Sequence, residues 1–277
     1  MTLTWYATAC VRLQWRDTVI WFDPWFSRND ESDPHIHASI DVVDDGSTIF
    51  MSHGHFDHLQ DVPSILVAKP AVEVYCSAAA KNAIEAQLQT RGEIPASEVP
   101  VCMERVHVPS PGDTITLTNP EAKVDVIKSE HVKFDARTIL RALFNWKTWK
   151  NIKKLVAVSK PYPKGDVFGY DVHLGKDGRV VMFGSLCTKY PDLLEQHSHP
   201  DVLLVPCAGR FDSDRIGVEI ARHVKPRHVI PIHQDNFFPP ITYHTPTTRL
   251  KEGAATLEPP ALYMELPFEQ PVEFQLG

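Results

Sequence analysis

The chain has 277 residues and a mass of 31.3 kDa, with 28 Lys plus Arg against 35 Asp plus Glu, a formal charge of −7. At 43% hydrophobic and 23% charged residues it has the make-up of an ordinary globular protein, and no apolar run approaches the ~20 residues that span a bilayer. The acidic balance argues against a dedicated nucleic-acid binder, whose footprint is a basic surface.

In chain order, Leu3 to Tyr6, Val11 to Trp15 and Thr18 to Phe22 are β-branched and aromatic runs that predict strands, with Arg16-Asp17 as the turn between the last two. Asp23-Pro24 stops the third strand, and residues 27–46 are polar and read as a long loop. Thr48 to Met51 predicts a short buried strand running into Ser52-His53-Gly54-His55-Phe56-Asp57-His58. A helix is expected from about His58, with Leu59, Val62 and Leu66 on one face. Val72 to Tyr75 is the next strand, followed by a helix over 78–89. Strands are expected at Arg105 to Val108, Thr114 to Thr118 and Val124 to Lys128, the last leading to Ser129-Glu130-His131. Residues 136–157 read as helical, with Ile139, Leu140, Leu143 and Phe144 at helical spacing. Phe168 to Leu174 and Arg179 to Phe183 predict a hairpin. Helix 191–197, strand Val202 to Val205, helix 213–223 and strand His228 to Ile232 follow, and the last delivers His233. The order predicts an α+β fold with helices outside two sheets, in one domain over 1–277 with a basic, aromatic helical insertion at about 134–164.

Cys10, Cys76, Cys102, Cys187 and Cys207 are widely spaced with no C-x-x-C, which fits buried thiols in a reducing cytoplasm. The N-terminal stretch lacks the basic-then-apolar pattern of a signal peptide, so a cytoplasmic location is expected. Among 14 histidines, the strongest signal is His53-x-His55-x-Asp57-His58. A strand end holds the backbone while the following turn lets alternate side chains converge, and imidazole with carboxylate suits zinc, iron or manganese. A chance polar loop is the bland alternative, and the density of ligand types in six positions argues against it.

This pattern after a buried strand, preceded by Phe22-Asp23-Pro24-Trp25-Phe26, resembles the metallo-β-lactamase superfamily. The likeness is strongest to the branch of ascorbate-phosphate lactonases and N-acylphosphatidylethanolamine phospholipases. It covers most of the chain, because His131 after a strand and His233 in Ile230-Pro231-Ile232-His233 match later motifs in the family's order. The resemblance implies an αββα sandwich, two mixed β-sheets flanked by helices, with the metal site at one edge between the sheets. It implies a first site of His53, His55 and His131 and a second of Asp57, His58 and His233. Zinc is the first expectation, as one ion or two, with manganese and iron as alternatives. Asp23 is expected either to orient a ligand from behind or simply to form the turn before Pro24.

One departure stands out. The family carries an aspartate that bridges the two metals after the hairpin strand, and here Phe183-Gly184-Ser185 puts Ser185 in its place. A neutral hydroxyl is a poorer bridge between two dications, so weaker second-site occupancy, a single ion, or a water or anion in the gap is expected. The alternative is a shifted alignment in which another acid supplies the bridge, Asp192 being the nearest downstream. With two ions Asp57 is a ligand; with one, Asp57 is the candidate general base.

The segment 133–164 carries Lys133, Arg137, Arg141, Lys147, Lys150, Lys153, Lys154, Lys160 and Lys164, with Phe144, Trp146 and Trp149 interleaved. It reads as a lid over a small, anionic substrate, as a membrane-surface helix, or as a solvated helix with one packed face. Its aromatics also leave a homo-oligomer contact open. His244, after the last histidine motif, is a candidate pocket residue, whereas His35 and His37 read as surface residues.

The functional expectation is a metal-dependent hydrolase acting with activated water on a small anionic ester, lactone or phosphodiester. The competing reading is a metal-binding relative with weak or lost catalysis, because of Ser185. Nuclease and β-lactamase readings are disfavoured by the acidic charge and by the absent secretion pattern, respectively. A flavin-linked oxygen-reducing relative is disfavoured because it would carry a glutamate in the first motif where His55 stands.

Overall fold

A computed structural model describes residues 1–135, 137–138, 146–176 and 178–276. Two seven-stranded sheets face each other. The first contains β1 (Thr2–Trp5), β2 (Val11–Trp15), β3 (Thr18–Phe22), β4 (Thr48–Phe50), β5 (Glu73–Tyr75), β6 (Val106–His107) and β14 (Pro271–Glu273), in the order β14-β1-β2-β3-β4-β5-β6. The second contains β7 (Thr114–Thr116), β8 (Ala122–Ser129), β9 (Val167–Leu174), β10 (Gly178–Phe183), β11 (Val202–Pro206), β12 (His228–Ile232) and β13 (Leu262–Tyr263), in the order β13-β12-β11-β10-β9-β8-β7. Each sheet is mixed. β1 to β3 pair antiparallel and β3 to β6 parallel, while β7 to β10 pair antiparallel and β10 to β13 parallel.

The two-residue period of the strands sorts the core into layers. In β3, Ile20 and Phe22 point between the sheets while Trp21 points outward. In β10, Val180 and Met182 point inward while Val181 and Phe183 point outward, and β11 repeats this with Val202 and Leu204 against Leu203 and Val205. Strands buried on both faces must be apolar throughout, which is why β11 and β12 read as continuous hydrophobic runs.

Helices cover both outer faces. α1 (Phe56–Leu59), α2 (Val62–Ala68), α3 (Ala78–Arg91) and α4 (Val99–Glu104) join the outer cluster of the first sheet, around Trp21, Ile49 and Val74. α5 (Trp146–Ser159) reaches the same cluster through Leu155 and Val158. α6 (Pro191–Gln196), α7 (Ser213–Val224) and α8 (Thr248–Ala254) cover the second sheet around Leu203 and Val229. α3 starts where the Ser77 hydroxyl accepts the Ala80 N–H and stops at Gly92, whose φ of 65° suits a left-handed cap. The αββα expectation holds.

The structure corrects several boundaries. The single helix expected from His58 is two, broken at Gln60-Asp61, because the Asp61 carboxylate accepts the Phe26 and Ser27 N–H groups. α4 begins with proline in its first turn and was masked by it in the sequence. α8, β13 and β14 were not expected; the two strands are short sheet edges, where pattern is weakest. Ile139, Leu140, Leu143 and Phe144, with Arg141, lie outside the described residues. All five cysteines are free thiols. No helix among the described residues is long and apolar enough to cross a membrane.

Candidate metal centre

Strand direction gathers the chemistry at one edge of the sandwich. β8, β10, β11 and β12 run the same way, as do β3 and β4. Asp23 follows β3, His53 follows β4, His131 follows β8, Ser185 follows β10 and His233 follows β12. Each stands just past a carboxyl end, the usual place for ligands in sheets with parallel strands.

Two groups of donors converge there. One ligand atom each from His53, His55 and His131 lie within 4.8 Å of one another, and so do those of Asp57, His58 and His233. The groups adjoin, since the His53 ring centroid is 4.0 Å from that of His58 and 5.1 Å from that of His131. His53, Asp57, His58 and His233 are buried, while His55 and His131 are half-buried on the open side.

Outward hydrogen bonds fix which ring nitrogens face inward. Asp23 accepts the Ser52 N–H at 2.7 Å through one oxygen. Its other oxygen accepts the Ser52 hydroxyl and the His58 Nδ1–H, the latter at 2.7 Å. With its proton given to Asp23, Ser52 Oγ accepts from His53 Nδ1 at 3.0 Å. His131 Nδ1 donates to the Val132 carbonyl at 2.8 Å. The Nε2 lone pairs of His53, His58 and His131 are thereby turned inward. His53 Nε2 stands 3.0 Å from His55 Nδ1, and His233 Nε2 stands 3.4 Å from an Asp57 oxygen.

The protonation states of the first triad and of Asp57 suit a cation. Burial and the neighbouring imidazoles push His53 well down, His55 down to about 4, and His131 down. Neutral imidazole is the ligating form. Burial alone would raise Asp57, but the His58 and His233 rings hold it well below the usual carboxylate range. Burial alone would lower His58, but Asp23 and Asp57 raise it. Neutral nitrogen lone pairs and an ionised carboxylate aimed at common points are a donor set that fits divalent metal ions.

A third cluster, Asp125, Asp171 and His173, is of a different kind. Arg179 and His197 both bond Asp171, and His173 Nε2 is 3.0 Å from Asp125. Its carboxylates already have side-chain hydrogen-bond partners, unlike Asp57 in the second triad, which faces only imidazoles.

The sequence-predicted residues outside the triads are placed as follows. Asp23 sits behind His58 with a φ of 43°, so it both turns the chain and orients the ring. Ser185 is buried and its hydroxyl accepts the Val132 N–H at 2.9 Å, tying β10 to the His131 loop. Gly184 beside it has no room for a Cβ, which would lie 1.8 Å from Ser52 Cβ. His244 is exposed, bonded to Asp33 at 2.7 Å, and belongs to neither triad.

Three supporting residues escaped the sequence reading. Ser52 links the two triads through His53 and Asp23, and its place directly before the first histidine was the available signal. The buried pair Arg28 and Asp235 underpins His233: Asp235 accepts the Thr8 N–H at 2.9 Å, and the Thr8 carbonyl accepts the His233 N–H at 2.9 Å. The backbone is left-handed at Ala7, Thr8 and His233, with φ of 67°, 45° and 57°.

Residues 18–235 match the model of the Beta-lactamase superfamily domain, well over half of the chain. A UPF0173 metal-dependent hydrolase of Polynucleobacter asymbioticus is 24% identical over 239 residues, covering 84% of this chain and 74% of its own length. Among solved structures, Igni18, a metallo hydrolase from Ignicoccus hospitalis, aligns over 99% of both chains with a TM-score of 0.63 and 15% identity. An isothiocyanate hydrolase from Delia radicum gut bacteria aligns over 99% of both with a TM-score of 0.60 and 12% identity. At those identities the structures bear on the fold alone. The paired sheets, the donor-rich edge and the family match lead to one assignment: the chain belongs to the metallo-β-lactamase superfamily.

Proposed function

We propose that this chain, a metal-dependent hydrolase of that superfamily, cleaves a small anionic ester, lactone or phosphodiester at the edge where the two triads meet. The observation that carries the reading is the convergence of six donors, three in each triad, with the outward nitrogens of His53, His58 and His131 already committed. His53, His55 and His131 would hold one divalent ion, and Asp57, His58 and His233 a second. Zinc suits this set, and manganese or iron are accepted by the same ligand types. When bound, such an ion supplies a Lewis acid that makes solvent nucleophilic near neutral pH and polarises the oxygen of a carbonyl or phosphoryl group.

The chain's own residues do the rest. Asp23 and Ser52 keep the His58 and His53 rings in one tautomer and one orientation. Asp57, held between His58 and His233, is suited to holding a cation. With both ions bound it would be a ligand; with one, it is the candidate general base. His55 and His131, on the open side, face the approaching substrate.

The competing reading, metal binding with weak catalysis, is favoured by Ser185, whose hydroxyl is spent on Val132. A panel of esters, lactones and phosphodiesters, assayed with added zinc or manganese, separates the two. Turnover that disappears with chelator and returns with metal supports the hydrolase; stoichiometric metal without turnover on any member supports the alternative. The narrower kinship with the lactonase and phospholipase branch is proposed on the basic segment 133–164, which suits phosphate-bearing substrates.

A further inference from the structure

A cavity of about 500 Å³ borders the first triad, between the end of β8, with His131, and the segment Lys164 to Val167 that enters β9. Its wall carries Lys128, Lys133 and Lys164 against Glu130 and Asp166. Two of these charges are spoken for. Glu130 pairs with Lys189 and accepts the Tyr190 hydroxyl at 3.1 Å. The Lys128 ammonium lies 5.3 Å from the centroid of the Tyr190 ring. Lys164 is exposed and has no ion-pair partner among the described residues.

The backbone of Lys164 is fixed to the histidine motif by two glycines. The Gly54 N–H, in the middle of His53-Gly54-His55, donates to the Lys164 carbonyl at 2.9 Å. A Cβ at Gly54 would lie 2.2 Å from the Pro163 carbonyl oxygen, so only glycine permits this approach. Gly165 has a φ of 65°, and a Cβ there would lie 2.7 Å from both Ala79 Cβ and Ser77 Oγ. After burial and nearer groups, the charge of Lys164 is also among the influences that lower His55 and His131.

We propose that Lys164 is the specificity residue of this site, its ammonium binding an anionic oxygen group of the substrate while the scissile centre faces His53, His55 and His131. This deepens the hydrolase reading above and rests on it. A lysine ammonium is a compact charge on a flexible stem, suited to carboxylate or phosphate oxygens without demanding a fixed fork geometry. The clamp at Gly54 sets the distance between this charge and the reacting centre, so substrates are sorted by where their anion lies as well as by its presence.

The test uses the metal-loaded full-length protein and the variants Lys164→Met, Lys164→Arg and Lys133→Met. Bis(4-nitrophenyl) phosphate serves as the anionic ester and 4-nitrophenyl acetate as the neutral one, and binding of inorganic phosphate to metal-free protein is measured by calorimetry. Lys164→Met is expected to raise KM for the anionic ester and the dissociation constant for phosphate, each by ~10-fold or more, with the neutral ester and the metal content unchanged. Lys164→Arg should restore most of the loss, and Lys133→Met should cost under ~3-fold. Equal losses on both esters, or unaltered phosphate binding in Lys164→Met, overturn the assignment. Absence of turnover on both esters in the unaltered protein, with phosphate binding still lost in Lys164→Met, counts against the hydrolase reading and leaves Lys164 as the anion contact.

Discussion

The first triad, His53, His55 and His131, is three imidazoles with one side open to a cavity; the second, Asp57, His58 and His233, is buried throughout and contains a carboxylate. A dication in the first meets neutral nitrogen and a lysine nearby. A dication in the second meets Asp57 directly and Asp23 one ring further back. The two triads thus differ in both ligand chemistry and electrostatic setting. On the proposed function, the deep triad would retain a cation and the shallow one would present a cation to substrate. Ser185 sharpens the contrast, because of the two groups only the deep one contains a carboxylate.

Each side of this contrast can be broken separately. The double variant His53→Ala/His55→Ala should lower kcat/KM by at least ~1,000-fold, since it removes several kcal/mol of charge stabilisation. Elemental analysis should show the shallow ion gone, and unchanged metal content would refute the ligand assignment. Asp57→Asn should weaken the tighter of two binding events in a metal titration by ~100-fold while leaving the other in place; loss of both together would mean that the triads do not act as separate sites.

Asp23→Asn removes the carboxylate behind His58 and should cost ~10–100-fold in affinity at the deep triad. Ser52→Ala should cost less but at both triads, and an effect confined to one would undo its role as the link. Ser185→Ala leaves the Val132 N–H without its partner and should lower unfolding stability by about 1–3 kcal/mol in a denaturant titration. Its metal stoichiometry should stay as in the unaltered protein; a lost ion would make Ser185 a ligand. The smallest effect is expected for Asp125→Asn in the third cluster, where metal content should not change.

Much of this was legible in the sequence because its signals are local. The histidine motif lies on one turn, and His131 and His233 each stand directly after an apolar run whose strand character was plain. β2, β3 and β12 were read to the residue for the same reason. What escaped depends on packing between distant segments. Arg28 and Asp235 are 207 positions apart and meet only when β12 docks beside the β1–β2 turn. Lys164 gains its meaning from Gly54, 110 positions earlier, which reads as a spacer between two histidines until Pro163 is seen against it. The partner of His244 is of the same kind: Asp33 lies 211 positions earlier and meets it only in the folded chain.

The left-handed residues around His233 have a practical consequence. Ala7, Thr8, Asp23 and His233 all carry side chains in a conformation that costs an L-residue ~1–2 kcal/mol, and Thr8 is β-branched as well. A screen for heat-resistant versions of this chain would be drawn to glycine at Thr8 and barred from it at Asp23 and His233. Heat tolerance and turnover therefore pull against each other along this one rim of the sandwich, and directed evolution for robustness should look for its gains on the far side.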